Sequence, residues 1–236
     1  MRGRSASGFT LIELLVAISL MALMAALAWR GLDGMTRAQN QMRQQADDVL
    51  ALQAGLVQWG ADLDALAVQP KTSSLDWDGR ALRLLRHDSA GAGQGLRVVA
   101  WTRRGAASDG VWLRWQSPPL STHGALQLAW QKAALWAQNP SDEDRQREVQ
   151  IVPLARWQIF YYRGDTWTNP LSSEGSASGG NPVAPSAGSS AGAGAGAAAV
   201  PALPDGVRLV LALSPGQAIS GTLTRDWMRA DLGGGK

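Results

Sequence analysis

Residues 8–29 read GFTLIELLVAISLMALMAALAW, an apolar run interrupted by one acidic residue, Glu13. The part from Phe9 to Ala28 has the length of a membrane-spanning helix, which needs about 20 residues to cross ~30 Å of hydrocarbon. Placing a carboxylate inside such a segment costs free energy, so an acid found there is expected to have a function. The run predicts a membrane helix in which Glu13 has a specific purpose.

The flanks of this run predict its orientation and leave one alternative open. Arg2 and Arg4 precede it, and because basic residues tend to stay on the cytoplasmic side, the rest of the chain is expected outside. A secretory signal peptide cut after the small residues of Ala26–Ala28, before Trp29, would show a similar pattern. The length of the apolar run and the acid within it count against that alternative.

The stretch from Gly8 to Ile18, GFTLIELLVAI, resembles the class III signal of type IV pilins and type II secretion pseudopilins. In that family a prepilin peptidase cuts after the glycine and then methylates the new N-terminal amine. The resemblance implies cleavage between Gly8 and Phe9 and N-methylation of Phe9. It also implies an assembly role for Glu13, which becomes the fifth residue of the mature chain.

The chemistry of that mature N-terminus would give Glu13 a partner. A free α-amine has a pKa of about 7.7–8.0 and is largely cationic at neutral pH. Residues i and i+4 share one helix face, so the amine of Phe9 can meet Glu13 within a subunit, or a neighbour's carboxylate in a bundle. An unpaired charge in a low dielectric is strongly unfavourable. A misplaced subunit would leave such a charge unpaired, so the pair would favour the correct register of each added subunit.

The helix is predicted to continue beyond the membrane and to end at Pro70, which does not fit a helix interior. Apolar residues recur there at heptad spacing, at Met35, Met42, Val49, Leu56 and Leu63, with Leu52, Trp59 and Leu66 at the second position. We expect residues 50–66 to lie on the chain's own sheet and residues 9–35 to pack against other subunits. Gly31 and Gly34 predict a flexible joint just past the membrane.

Beyond Pro70 the apolar period changes to two, which is typical of strands with one buried face. Alternating runs begin at Leu82, Leu96, Val111, Leu126, Trp157 and Val207, and a further strand is predicted at Ile219–Thr224. Ser108–Gly110 has the composition of a hairpin turn. Lys132–Arg147 is either a loop or a short helix, with Ser141 as a candidate N-cap.

The predicted fold class is therefore α+β. Together with the resemblance, the pattern indicates a pilin-like fold, with a long N-terminal transmembrane and amphipathic helix followed by an antiparallel β-sheet domain. The segments are a leader peptide (1–8), a transmembrane helix (9–29), an amphipathic helix (30–70), a β-rich periplasmic domain (71–171), a low-complexity insertion (172–200) and C-terminal strands of the same domain (201–236). Within the insertion, Ser172–Ala199 is almost wholly Ser, Gly, Ala, Pro and Asn, and we expect it to be flexible.

Motifs that would indicate catalysis or metal binding lack the required context. The Gly-x-Ser-x-Gly match at Gly188–Gly192 has neither the strand before it nor the helix after it that a nucleophile elbow needs. His87 and His123 lack metal-ligand spacing, and no EF-hand spacing surrounds Asp142–Asp144. There is no cysteine. We therefore predict no enzyme activity, no catalytic or metal-binding residue and no cofactor.

Tryptophan is abundant, with 11 residues, and two stretches interleave it with arginine. Such stretches, at Trp101 and from Trp112 to Trp115, can stack on bases or sugars, but tryptophans that alternate along strands are more commonly core residues. We expect core positions, except that Trp112, opposite in phase to Trp115, would face a partner. The formal charge is only +3 and includes Arg2 and Arg4 of the leader, so no nucleic-acid partner is expected.

Diffuse similarities downstream point to one branch of the superfamily. Trp29–Asp33, Gly164–Trp167 and Leu203–Leu211 resemble the minor pseudopilin J family of type II secretion, and Glu13 argues against the K type, which lacks that acid. The resemblance implies a single-pass inner-membrane subunit with its globular domain in the periplasm. Its implied partners are minor pseudopilins of the I, K and H types, the major pseudopilin and prepilin peptidase, together with the secretin and secreted substrates.

The sequence leaves three functions open. The first is a tip-complex pseudopilin that helps initiate pseudopilus assembly and contacts substrate or secretin. The second is a minor pilin of a type IV pilus, which shares the same leader. The third is a secreted enzyme or carbohydrate-binding domain with an ordinary signal peptide. The resemblance favours the first.

Overall fold

The computed structural model describes residues 8–69, 72–88, 95–106, 109–173 and 202–230. The helices are α1 (Leu11–Asp64), α2 (His123–Gln138), α3 (Asp142–Arg145) and α4 (Pro170–Ser173). The strands are β1 (Leu75–Trp77), β2 (Ala81–His87), β3 (Leu96–Arg104), β4 (Val111–Gln116), β5 (Glu148–Arg163), β6 (Thr166–Thr168), β7 (Gly206–Leu213) and β8 (Gly221–Met228).

The chain divides into two compact units, an N-terminal unit that ends at Asp47 and a sheet unit that begins at Asp48. In the N-terminal unit, α1 is long and apolar enough to cross a membrane, and none of that apolar stretch is buried. In the sheet unit the strand order is β1-β2-β3-β4-β5-β7-β8, with β6 paired to the end of β5. All of these pairings are antiparallel, so the predicted pilin-like α+β fold is confirmed.

One face of the sheet is covered by the last turns of α1. Leu52, Trp59 and Leu63 are buried there and join the larger core cluster, which draws on most of the strands. Full burial of a side chain such as Leu63 contributes ~1.5–3 kcal/mol. The prediction that residues 50–66 lie on the chain's own sheet is confirmed, whereas the packing of residues 9–35 against other subunits stays a prediction.

The other face of β2, β3 and β4 is covered by α2, where the sequence pattern predicted a strand beginning at Leu126. That prediction was wrong. The buried residues of α2 are Leu126, Ala129, Ala133, Trp136 and Ala137, a helical spacing, while Leu128 is 69% exposed. A short alternation of apolar and polar residues fits either a strand or a helix. Here the run is rich in Ala, Leu and Gln, which favours the helix. The Thr122 hydroxyl caps it by accepting a bond from the amide of Ala125.

Trp112 was predicted to face a partner, and this was also wrong. Its side chain is 0% exposed and lies on the α1 face, with its ring centroid 4.7 Å from that of Trp101. Trp115, opposite in phase, is buried on the α2 face and stacks on Trp136 at 6.1 Å. Both phases of β4 are buried because both faces of this half of the sheet are covered. The expectation of core positions for Trp101 and Trp115 is confirmed.

Several predicted boundaries differ from the structure. The helix α1 ends at Asp64 rather than at Pro70, which lies outside the described residues, because the chain joins the sheet there: Ala67 donates to the carbonyl of Leu85. The last predicted strand is shifted, since β8 covers Gly221–Met228 and not Ile219–Thr224. Residues 174–199 of the predicted flexible tract also lie outside the described residues.

The short helix predicted within Lys132–Arg147 is present as α3, preceded by the end of α2. Ser141 is its N-cap and forms a full capping box with Asp144. The Asp144 carboxylate accepts from the Ser141 amide and hydroxyl, and the Ser141 hydroxyl in turn accepts from the Asp144 amide. The cap predicted from local sequence is therefore confirmed.

Gly55 marks a close approach of α1 to the sheet. A Cβ added there would come closer to Ile151 Cγ2 than real Cβ contacts allow and would lie 3.1 Å from Trp112 Cζ3. We expect Gly55→Ala to destabilise the protein by roughly 1–2 kcal/mol, because an overpacking cost of about 1–3 kcal/mol outweighs the helix-propensity gain. Gly60 lies in the same helix with nothing within 4 Å of its added Cβ, so Gly60→Ala should stabilise by ~0.5–1 kcal/mol.

Thermal unfolding of the two full-length variants in detergent, followed by circular dichroism, measures this difference. The expected result is a lower melting temperature for Gly55→Ala and a higher one for Gly60→Ala. Shifts of the same sign would contradict the close approach at Gly55.

Candidate functional site

The predicted cleavage site lies just before α1. Gly8, Phe9 and Thr10 are outside the helix and exposed, and the Phe9 side chain is 79% exposed. The Gly8–Phe9 peptide bond is thus accessible and not locked into helical hydrogen bonding. The structure places both predicted processing residues together at the start of the apolar helix.

Glu13 lies in the first turn of α1, where a carboxylate interacts favourably with the positive end of the helix dipole. The Thr10 hydroxyl donates to Glu13 Oε2 at 3.4 Å, and the Thr10 carbonyl accepts from the amides of Glu13 and Leu14. Thr-x-x-Glu is the spacing of a capping box. This spacing is visible in the sequence, but a helix start at Thr10 was not predicted from it.

The apolar side chains that follow Glu13 are not covered by any described residue of the N-terminal unit. Those more than half exposed are Leu14, Leu15, Val16, Ile18, Leu20, Met21, Leu23, Met24 and Leu27. A contiguous exposed apolar surface of this kind marks contact with lipid or with other proteins. The N-terminal unit therefore combines an accessible peptide bond at the predicted cleavage site, one acid in the first helical turn and a surface that requires a bilayer or neighbouring helices.

A second polar cluster lies in the sheet unit, around Asp62, whose side chain is 0% exposed. Its carboxylate accepts two bonds from Arg114 (Nε to Oδ2 at 2.8 Å, Nη2 to Oδ1 at 2.9 Å), and one each from Trp101 (2.9 Å), Gln58 (2.8 Å) and Arg86. This arrangement satisfies the buried carboxylate and ties the end of α1 to β2, β3 and β4. It is a structural junction, because the carboxylate at its centre is fully buried and all of its contacts are within the fold.

The burial of Asp62 was not predicted from the sequence. The signal was its position on the apolar stripe, three residues after Trp59 and directly before Leu63, both of which are buried. Residues at i and i+3 share a helix face. An acid on that face has to find partners in the core.

The other titratable candidates do not converge on a site. His87 ends β2 and His123 begins α2. No group of three His, Cys, Asp or Glu that could hold a metal ion occurs in the described ranges. Glu143 pairs with Lys132 at 3.1 Å, and this hydrogen bond, more than the nearby charge of Asp144, raises the pKa of Lys132. The acidic turn is thus engaged in capping and ion pairs.

A polar and aromatic group lies across β6, β7 and β8. Arg208 forms two bonds of 2.7 Å with Asp226, and its guanidinium lies 4.2 Å from the centroid of the Trp167 ring. The hydrogen bond from Arg208 lowers the pKa of Asp226, and the same bond raises the pKa of Arg208. This group brings together Gly164–Trp167 and Leu203–Leu211, two stretches singled out in the sequence.

The chain matches the prokaryotic N-terminal methylation motif over residues 3–29. A comparison with curated proteins found no match. Together with the fold, the motif supports a protein of the type IV pilin-like and pseudopilin class. It implies processing by prepilin peptidase and assembly with other pilin-like subunits. Proteins with this motif are structural or secretion components rather than typical enzymes. The one membrane-length apolar helix found among the described residues fits a protein anchored by one membrane segment.

Proposed function

We propose that this protein is a minor pseudopilin of the type II secretion system, of the J type. The observation that carries the proposal is the N-terminal segment: a prepilin-type motif over residues 3–29, followed by an exposed apolar helix with Glu13 in its first turn. The sheet unit adds weaker support, because the J-like stretches around Trp167 and Arg208 contact each other.

In this proposal Gly8 and Phe9 form the cleavage site, and Phe9 receives the methyl group. The new amine of Phe9 pairs with Glu13 of the same or a neighbouring subunit, and the apolar helix enters the helical bundle of the filament. The sheet unit lies in the periplasm, where it meets the other minor pseudopilins and either the secretin or secreted substrates. The protein then helps initiate pseudopilus assembly from its tip and needs no catalytic residue or cofactor of its own.

Mass spectrometry of the mature N-terminus tests the class of protein. The full chain is expressed in a host with and without a prepilin peptidase. We expect N-methylated Phe9 as the first residue when the peptidase is present and an uncut leader when it is absent. A mature chain that starts at Trp29 in both hosts would identify an ordinary signal peptide and overturn the proposal.

Co-purification separates the pseudopilin from a minor pilin of a type IV pilus, which shares the N-terminal motif. We expect the protein to co-purify with the I and K minor pseudopilins after co-expression. Association with the minor pilins of a type IV pilus instead would reject the type II assignment while leaving the pilin-like class intact.

A further inference from the structure

The sheet unit contains a cleft that the proposed function does not use. It has a volume of about 360 Å³, and four arginines line it: Arg80, Arg103, Arg104 and Arg156. They come from three separate places: Arg80 lies in the turn between β1 and β2, Arg103 and Arg104 end β3, and Arg156 lies in the middle of β5. The cleft is therefore strongly cationic and is assembled by the tertiary fold.

Two of these guanidiniums already have partners. Arg104 pairs with Glu148 at 2.7 Å and donates to the carbonyl of Trp136 in α2. Arg103 donates to the carbonyls of Leu154 and Gly105. These bonds hold both side chains in place and shape the wall of the cleft.

The other two have none among the described residues. Arg80 and Arg156 are exposed, and neither side chain forms a hydrogen bond or an ion pair with the described part of the chain. Arg80 is held only through its main chain, which donates to Asp78 and accepts from the Thr102 hydroxyl. Two arginines whose guanidinium donors are unused within the described part of the chain thus line the same cleft from different elements.

A β-bulge directs Arg156 toward this cleft. The register between β5 and β7 shifts between Leu154 and Arg156, and both Leu154 and Trp157 belong to the core. Alternation would place 154 and 157 on opposite faces, so the extra residue leaves Ala155 and Arg156 both outside the core. Bulges commonly re-aim a side chain in this way.

The acidic groups around the cleft do not neutralise it. Glu148 is occupied by Arg104, and the Asp78 carboxylate accepts from the amides of Arg80 and Ala81 and lies 3.6 Å from Arg83. The carbonyl end of α2 also lines the cleft through Gln138, and Arg104 donates to one of its carbonyls, that of Trp136. This leaves the charges of Arg80 and Arg156 available for an anionic ligand.

We propose that this cleft binds an acidic segment of a partner protein, with Arg80 and Arg156 each pairing with one of its carboxylates. Guanidinium groups bind carboxylates through two parallel hydrogen bonds. Because the two arginines stand on different elements, successive acidic side chains of an extended segment fit them better than a single small anion. The proposal does not depend on the J-type assignment.

Fluorescence anisotropy of a labelled peptide tests the proposal on the full chain in a neutral detergent. The probe is a peptide of alternating Glu and Gly, and its counterpart has Gln in place of Glu. We expect the wild type to bind the Glu peptide at least roughly tenfold more tightly than the Gln peptide. The double variant Arg80→Glu/Arg156→Glu should bind the Glu peptide more weakly than the wild type by about the same factor. The matched control is Arg145→Glu/Arg225→Glu, which makes the same charge change at two exposed arginines outside this cleft.

The affinity of the control variant for the Glu peptide is expected to stay within about twofold of that of the wild type. Surface charges that do not contact the peptide contribute little to its binding. An equal loss in both double variants would show that net charge alone attracts the peptide and would overturn the proposal. Failure of the Glu peptide to bind the wild type would overturn it as well. Displacement of the peptide by phosphatidylglycerol, but not by phosphatidylcholine, would identify a lipid-headgroup site instead.

Discussion

Replacing Asp62 with alanine is expected to destabilise the sheet unit by about 3–5 kcal/mol, because it removes the counter-charge of two shielded guanidiniums. The Asp62 carboxylate accepts from Arg114, Arg86 and the indole of Trp101. The Arg114 and Arg86 side chains are only 9% and 11% exposed, so water would hydrate them poorly after the substitution. Both the lost hydrogen bonds and the lost counter-charge contribute to the expected loss.

Thermal unfolding of the full chain measures this effect, and Asp226→Ala is the matched control. Arg208 and Asp226 form the same bidentate pair at 2.7 Å, but their side chains are about a third exposed, at 32% and 38%. Water replaces an exposed partner, so the control should lose no more than ~1 kcal/mol. We expect Asp62→Ala to lower the melting temperature by roughly 10 °C. A decrease no larger than that of Asp226→Ala would contradict the buried junction.

Replacing Glu13 with alanine is expected to leave cleavage after Gly8 intact but to reduce incorporation into the assembled tip complex by roughly tenfold or more. The reason is the charge of the mature Phe9 amine, which would then be left unpaired in a low dielectric. An uncompensated buried charge costs well above the ~1.4 kcal/mol that a tenfold change requires. Mass spectrometry of the N-terminus measures cleavage, and crosslinking to neighbouring subunits measures incorporation into the complex.

Thr10→Ala separates this pairing from local helix capping. It removes the hydroxyl that donates to Glu13 at 3.4 Å but keeps the carboxylate and its charge. If Glu13 acts on the amine of Phe9, the Thr10 variant should assemble almost normally while Glu13→Ala does not. Equal defects in the two variants would instead indicate that Glu13 serves to start the helix, and normal assembly of Glu13→Ala would refute the pairing role.

The N-terminal segment could be predicted from the sequence because its signals are local. Apolar length, a cleavage motif and an acid at a fixed distance from Phe9 are all read within a few residues. The capping box at Ser141 is local in the same sense, and its prediction was confirmed. The heptad pattern also identified the face of α1 that carries Leu52 and Trp59, since a helix has one period whatever it packs against.

The faces of the sheet could not be predicted in this way. A strand pattern states which residues share a face but not whether that face is covered. The incorrect prediction of a strand at Leu126 and the incorrect prediction that Trp112 is exposed have the same cause. The helix α2, which covers the second face of the sheet, was not recognised in the sequence. Once α2 lies there, both phases of β4 are buried, and Trp112 and Trp115 are both core residues.

The sequence by itself determined that this chain has a prepilin-type N-terminus, an apolar helix with Glu13 in it and an antiparallel sheet after it. Only the tertiary structure decided that Asp62 is buried, and that Arg80 and Arg156 share one cleft. The physical reason is separation along the chain. Asp62 is joined to Arg114 from another element, and no local pattern reports which distant side chains the sheet register brings into contact.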